Sequence, residues 1–377
     1  MGEDHERQYG GRMTTAVTET YTIPVGPLHV ALEEPMYFRI DVHGETVARV
    51  DINAGHVHRG IEYLTTKRTM LQNVVLTERI CSLCSNSHPE TFAMAAERIA
   101  GIEIPERAAL LRVVAAEVKR IASNLFNVAL LAHLVGYETL FMHVMQVREI
   151  AQDIKETVFG NRMDLGAICI GGVRYDLDEK TTGFLVGSLD RLVPEIEAIV
   201  QTYRTNGSIL GRTRDVGVLT REQAIACGVV GPVARASGVA YDVRAVAPYA
   251  AYDRLPLEVH VLTDGDVWSR AMIRLAEALT AIDLVRACLR DLPDGPTRLA
   301  ETPDIPPGQA IAKSEAPRGE LIYYLKTNDE PRPERVKWRV PTFMNWDALR
   351  FMLAGAKLAD IAIIVNSIDP CVSCTER

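Results

Sequence analysis

Two Cys-x-x-Cys pairs carry the most pointed chemistry in this sequence, Cys81-Ser-Leu-Cys84 and Cys371-Val-Ser-Cys374. The spacing lets two thiolates converge on one ion, and two such pairs complete a four-sulfur set if the fold joins them. Soft thiolates suit zinc, iron–sulfur clusters and nickel. Structural zinc is the ordinary reading of the spacing. A thioredoxin-like redox pair fits less well, because neither pair sits at a strand-to-helix turn in a βαβ pattern. Zinc ribbons place their pairs in tight turns a few dozen residues apart, whereas these pairs lie at opposite ends of the chain. Joining them requires the whole domain to be folded, which makes sense when the metal is the purpose of the fold.

The bulk properties narrow the setting. With 377 residues, 47% of them hydrophobic, the chain can bury a large core. A formal charge of -8 argues against binding nucleic acid, and no basic run offsets it. Seven cysteines are too few for a disulfide scaffold of this length and leave one unpaired, so a reducing compartment is expected. The polar N-terminus has no apolar h-region and reads as a short disordered leader, residues 1–20. No stretch approaches the roughly 20 apolar residues of a membrane span.

The elements that must position the cysteines follow from periodicity. Residues 21–53 read as strands, with a hairpin turn at His43-Gly44-Glu45. From Ile61 to about Ile80 a helical pattern leads into the first pair. Pro89 is expected at the N1 position of a helix that Gly101 ends. Pro105 opens the longest helical pattern, expected to be exposed at first and buried later. Further helices are expected at 137–159, closed by Gly160-Asn161, and near 180–205 and 266–292. Pro303, Pro306 and Pro307 mark a linker. Two strands should pair around a turn at Glu315-Ala316-Pro317-Arg318-Gly319, and a short helix should span 345–353. An apolar run, LADIAIIVNSI, delivers the second pair. The expected fold is mainly α (α+β): an N-terminal β-hairpin lobe (21–60), a central helical bundle carrying the first pair (61–300) and a small mixed α/β C-terminal lobe carrying the second (301–377).

The residues around the cysteines resemble a known family. Glu78-Arg79-Ile80-Cys81-Ser82-Leu83-Cys84-Ser85-Asn86-Ser87-His88 is similar to the first metal motif of the nickel–iron hydrogenase large subunit, and Asp369-Pro370-Cys371-Val372-Ser373-Cys374-Thr375-Glu376-Arg377 to its second. The Thr-Glu-Arg ending, in place of a histidine, resembles the membrane-bound, energy-converting (group 4) members, relatives of the quinone-proximal large subunit of respiratory complex I. The resemblance runs through Gly26-Pro27-Leu28-His29, Leu32-Glu33-Glu34-Pro35, His58-Arg59-Gly60-Ile61-Glu62, Gly160-Asn161-Arg162, Gly171-Gly172-Val173 and the segment from Gly231 to Gly238. It continues through Glu315 to Gly319 and Val340-Pro341-Thr342. The complex I subunit lacks the two cysteine pairs.

The resemblance implies that Cys81, Cys84, Cys371 and Cys374 bind nickel. Cys84 and Cys374 would also bridge to an iron that carries carbon monoxide and cyanide. It implies that Cys374 is the first proton acceptor and that Arg318, beside Pro317, lies over the open metal position. Arginine's permanent charge and planar fork suit that task better than lysine's; the plain alternative is a turn residue in a surface ion pair. Thr342 would donate its hydroxyl to a cyanide, or is simply a residue after a proline. Asp369 would lie near Arg318, or form an Asx turn, and its place before Pro370 pushes its backbone away from the helical region. His88 would hydrogen-bond a bridging sulfur, or cap a helix. Glu34, with Glu33 as runner-up, would relay the proton, or is merely solvated.

Cys169, Cys227 and Cys288 read as small core residues. They are too few for a further four-cysteine cluster, so this chain is expected to hold no iron–sulfur cluster. Electrons would leave through clusters of a partner small subunit and a ferredoxin-like protein beyond it. Membrane-arm subunits would hold this chain on the cytoplasmic face of the cell membrane. Departures from the family pattern include Ser82 in place of a common glycine and Asp164 in place of a frequent histidine. Arg377 stands where histidine-ending members are associated with an extra magnesium. The expected function is reversible interconversion of hydrogen with protons and electrons. The alternatives are a complex I-like reductase of a quinone or a sulfur compound without hydrogen chemistry, and a structural zinc protein with four cysteine ligands.

Overall fold

A computed structural model describes residues 20–29, 32, 34–302 and 304–377; residues 1–19 of the expected leader, Glu33 and Pro303 lie outside the described residues, while Thr20, assigned to the leader, opens the first strand. At the N-terminal end, strands β1 (Thr20–Val25), β2 (Tyr37–His43) and β3 (Thr46–Asn53) form an antiparallel sheet in the order β1-β2-β3. Alternation along β2 buries Phe38, Ile40 and Val42 on one face. The expected turn at 43–45 closes the hairpin, with His43 paired to Thr46.

The stretch from Ile61 is two helices, not one: α1 (Ile61–Thr65) and α2 (Met70–Thr77). Thr69 and Gln72 form a reciprocal capping box, which restarts the helix after the break. Helix α3 (Ser87–Ala100) begins two residues before Pro89, which sits inside the first turn, where a missing N–H costs nothing. Gly101 ends it with φ 64°.

Helices α4 (Glu106–Leu134) and α5 (Glu138–Phe159) follow, then the short strands β4 (Ile168–Cys169) and β5 (Gly172–Val173). Helix α6 (Glu179–Thr205) comes next, and then the short helices α7 (Gly207–Thr213), α8 (Arg221–Cys227), α9 (Pro232–Ala236) and α10 (Val243–Val246). Helix α11 (Val267–Arg290) packs lengthwise on α4, which also lies against α5, and α6 packs on both α5 and α11. Contrary to expectation, α4 is buried almost from its start, at Ala108, to Ala132. From Arg112 on, its charged residues are not solvated: Arg112, Glu117, Lys119 and Arg120 are all buried in ion pairs. Hydrophobic periodicity reads such residues as exposed because it counts no partners.

The C-terminal quarter contains β6 (Gly308–Ala316), β7 (Gly319–Thr327) and β8 (Arg335–Arg339), antiparallel in that order. Strand β8 was not anticipated. The helix expected at 345–353 is instead α12 (Pro341–Asn345) and α13 (Leu349–Leu353). The apolar run forms α14 (Ile361–Ser367), and the second pair enters α15 (Val372–Glu376). Cys288 is buried as expected, but Cys169 and Cys227 are only half-buried. Among the described residues, no helix is long and apolar enough to cross a membrane.

Candidate metal centre

The fold brings both cysteine pairs to one point. The four sulfurs of Cys81, Cys84, Cys371 and Cys374 lie within 4.8 Å of one another, all four residues are buried, and none is in a disulfide. Cys371 Sγ is 3.1 Å from Cys81 Sγ and 2.9 Å from Cys374 Sγ. Cys81 caps a single 3-10 turn, Ser82–Cys84, and its sulfur accepts the Leu83 N–H at 3.3 Å. Cys371 caps α15, and its N–H donates to Thr342 Oγ1 at 3.1 Å. Each pair therefore spans one tight turn, which puts both of its sulfurs on the same side.

The electrostatics of this set call for a cation. Hydrogen bonds from Cys371 and Cys374, together with the nearby charge of Arg318, hold the Cys84 thiol well below its ordinary value. Burial pushes the Cys374 thiol well above its own. Four sulfurs packed this closely cannot all ionise on their own, and a metal that displaces the remaining protons resolves the conflict. The donor set is all-thiolate and buried, as suits a soft transition metal.

Arg318 sits in the turn between β6 and β7 and is buried. Its Nη2 donates to Asp369 Oδ1 at 2.8 Å and its Nε to the Asp369 carbonyl at 2.9 Å. Its Nη1 reaches Ser123 Oγ at 3.2 Å and lies 3.6 Å from Cys84 Sγ. The surface ion pair is thus excluded. Asp369 has φ 56°, in the left-handed region rather than the extended one that its place before Pro370 suggests. Aspartate tolerates this conformation better than most residues, and the two bonds from Arg318 hold it there. The turn itself is held by a close approach to the start of α9. A Cβ on Gly319 would meet Gly231 N at 2.7 Å, and both glycines have positive φ.

His88, on the first turn of α3, joins two partners. Its Nε2 is 3.3 Å from Cys374 Sγ and its Nδ1 2.7 Å from the Tyr323 hydroxyl. Burial lowers its pKa to about 4, so the ring is neutral near pH 7. Burial also raises the Tyr323 hydroxyl well above its ordinary value. The consistent arrangement has Tyr323 O–H donating to Nδ1 and Nε2–H donating to the sulfur. Glu34 accepts hydrogen bonds from Ser373, from the N–H at 2.8 Å and from the hydroxyl. Cys84, His88, Ala316, Arg318, Thr342, Cys371 and Cys374 are among the residues that line a cavity of about 10 Å3. Pro317 does not line it.

Sequence reasoning missed Ser123, Tyr323, Lys119 and Lys155. Lys119 Nζ contacts the first pair's turn, donating to Ser85 Oγ at 2.6 Å and the Ser82 carbonyl at 3.3 Å, and it pairs with Asp164 at 2.6 Å. No local signal marks these residues, because they reach the site from elements distant in sequence from the cysteine pairs: Lys119 and Ser123 from α4, Lys155 from α5 and Tyr323 from β7. Asp164 itself was visible only as a departure from a family pattern.

The comparisons with known proteins agree with this geometry. Residues 59–134 match the family described as nickel-dependent hydrogenase. Residues 135–303 and 297–377 match the 49 kDa subunit of the respiratory-chain NADH dehydrogenase. The chain is 65% identical, over 95% of its length and 99% of the other's, to a carbon monoxide-induced hydrogenase of Rhodospirillum rubrum. The chain belongs to the nickel-dependent hydrogenase and respiratory 49 kDa subunit family. Within that family it is also 36% identical to the membrane-bound hydrogenase subunit alpha of Pyrococcus furiosus, over 94% of this chain and 87% of that one. It is 35% identical to an NADH-quinone oxidoreductase subunit from Dehalococcoides mccartyi, over 93% of this chain and 97% of that one. The expected mixed, mainly helical fold and the expected family are both borne out.

Proposed function

We propose that this chain is the catalytic subunit of a nickel–iron hydrogenase, interconverting hydrogen with two protons and two electrons. The observation that carries this reading is the buried four-sulfur set in a chain 65% identical to a hydrogenase. Cys81, Cys84, Cys371 and Cys374 would hold a nickel–iron group. When bound, that group, its iron carrying carbon monoxide and cyanide, supplies the heterolytic splitting or formation of hydrogen.

The chain's own residues orient and move charge around it. The Arg318 fork, fixed by Asp369, presents a permanent cation to the sulfur of Cys84. Thr342 spends its lone pair on the Cys371 N–H, which leaves its O–H free to donate towards an iron ligand such as cyanide. His88 holds the Cys374 sulfur by donation, and because burial lowers its pKa to about 4 the ring is a poor proton acceptor. Cys374 Sγ takes the proton, and the Glu34 carboxylate, reached through Ser373, carries it away.

The chain would pass electrons to an iron–sulfur small subunit and on to a ferredoxin-like carrier. Subunits of membrane-bound complexes among its relatives support membrane-arm partners, with this chain peripheral on the cytoplasmic face. A second reading, a quinone-reducing subunit, is favoured by the match to the 49 kDa subunit, but it gives the four buried thiols no task.

Quantifying nickel, iron and zinc in the isolated complex, with infrared spectra in the carbonyl and cyanide region, separates these readings. Nickel with those bands is expected; zinc alone in fully matured protein overturns the proposal. Cys374→Ala should abolish hydrogen–deuterium exchange, and retained exchange would remove Cys374 from its proton role.

A further inference from the structure

Helix α3, which carries His88, packs on strands β6 and β7. One turn after His88, Thr91 Oγ1 is 2.6 Å from Ser314 Oγ of β6, which pins the helix to the sheet. Tyr323 on β7 pairs with Trp338 on β8, and their rings stack at 5.3 Å with 16° between the planes. The His88 and Phe92 rings meet the Tyr323 ring edge-on, at 5.8 and 6.4 Å. Tyr323 is fully buried, so this packing holds its hydroxyl at one place, 2.7 Å from His88 Nδ1. On the far side of the imidazole, Nε2 lies 3.3 Å from Cys374 Sγ.

A buried hydroxyl needs an acceptor for its hydrogen. Among the described residues, His88 Nδ1 is the one hydrogen-bond partner of the Tyr323 hydroxyl. Were Nδ1 protonated, the Tyr323 oxygen would have to accept, and its own hydrogen would point at nothing. A doubly protonated ring fails in the same way. With Tyr323 donating, Nδ1 is the bare nitrogen, and the single ring hydrogen sits on Nε2, facing the sulfur. The opposite tautomer aims the Nε2 lone pair at Cys374. That sulfur would then have to keep a proton to match it, which a thiolate that binds metal has given up.

We propose that Tyr323 is a positioning residue of the metal centre: its hydroxyl fixes the His88 tautomer, so that Cys374 faces a hydrogen-bond donor and not a competing base. The inference rests on the hydrogenase reading for what Cys374 does with its proton. Strand β8, through the stack of Trp338 on Tyr323, thereby reaches the sulfur by way of His88. Donation from Nε2 draws charge off the sulfur and weakens it as a metal ligand. Without the hydroxyl, the ring hydrogen is free to move from Nε2 to Nδ1. The vacated Nε2 then competes for the proton that Cys374 Sγ takes.

The test is infrared spectroscopy of the intact complex in the carbonyl and cyanide region. Tyr323→Phe keeps the ring stack and removes only the hydroxyl. Its bands should move to lower frequency, because a sulfur relieved of a hydrogen bond gives more charge to the metals. His88→Gln offers the sulfur an amide N–H that has no tautomer to choose. Its bands should stay close to native, and Tyr323→Phe added to it should move nothing, a coupling that a merely structural role does not produce. Unchanged bands in Tyr323→Phe overturn the proposal, as does a shift of equal size in both backgrounds. NMR of nitrogen-labelled histidine in the native full chain needs no change at Tyr323, with His88 assigned by the signal lost in His88→Gln. A protonated Nε2 with a bare Nδ1 is expected; the reverse overturns the proposal even if Tyr323→Phe does not fold. Nickel content of the same samples reports separately on the hydrogenase reading.

Discussion

At the scale of single residues, buried charge decides what Arg318 does at the site and what Glu90 does to the stability of the fold. All three nitrogens of the Arg318 guanidinium are engaged: Nε and Nη2 on Asp369, Nη1 towards both Ser123 and Cys84. Lysine keeps the charge but cannot make this planar set of contacts. Arg318→Lys should therefore keep its nickel yet lose activity by about 10²-fold, read by hydrogen–deuterium exchange alongside metal analysis. Near-native exchange would show that charge alone suffices. Glu90, on the same helix as His88, is a buried carboxyl whose Oε1 has no hydrogen-bond partner, and burial pushes its pKa up to about 8. The folded state then binds its proton more tightly than the unfolded state, whose value is near 4.5. Its penalty is absent below that value and grows as pH rises towards 8, where it levels off, with a slope of about 1 kcal/mol per pH unit. Glu90→Gln should remove this part of the pH dependence in denaturant titrations at pH 5 and pH 8; an equal loss of stability in variant and native protein would contradict the assignment.

At the scale of elements, the turn that carries Arg318 is held by a buried ionic lattice. Arg120 on α4 pairs with Glu117 at 3.0 Å and donates to the carbonyls of Glu315 and Ala316, the last residues of β6. Arg235 on α9 bridges Glu315 at 2.9 Å and Glu277 on α11 at 2.7 Å. Arg244 on α10 completes the lattice through Glu117 and Asp242. Such pairs add little net stability, but removing one member strands its partners in the core. Arg120→Met should cost about 3–5 kcal/mol in urea unfolding and loosen the β6–β7 turn. A loss below about 1 kcal/mol, the range of exposed pairs, would mean that the lattice does not hold the turn.

At the scale of the whole molecule, the metal centre joins the two ends of the described fold. Cys81 follows α2 and Cys374 lies in α15, and the helical core between them sets their meeting point. Metal bound there stabilises only the folded chain, by about 3 kcal/mol when free metal exceeds its Kd a hundredfold. Calorimetry should show the loaded protein unfolding at a higher temperature than the metal-free chain. Coincident transitions would mean that the four sulfurs hold no metal in the folded state.

The sequence by itself singled out the four cysteines, the family and the mainly helical class. These depend on residue type, short spacing and local periodicity: two Cys-x-x-Cys pairs, Gly101 and Gly160 as helix ends, and the 43–45 turn are all local features. Arg318, Asp369, His88, Thr342 and Glu34 were named through a resemblance, but only the tertiary structure set their contacts. Asp369 adopts a left-handed backbone because Arg318 binds it, which no rule about the residue before a proline contains. Helix α4 looked half-exposed because its charges were counted without their partners, which lie on α3, α10, α11 and the loop bearing Asp164. Ser123, Tyr323 and the Lys119–Asp164–Lys155 cluster stayed invisible for the same reason. Buried charge is legible only with its compensating charge, and that partner is usually distant in the chain.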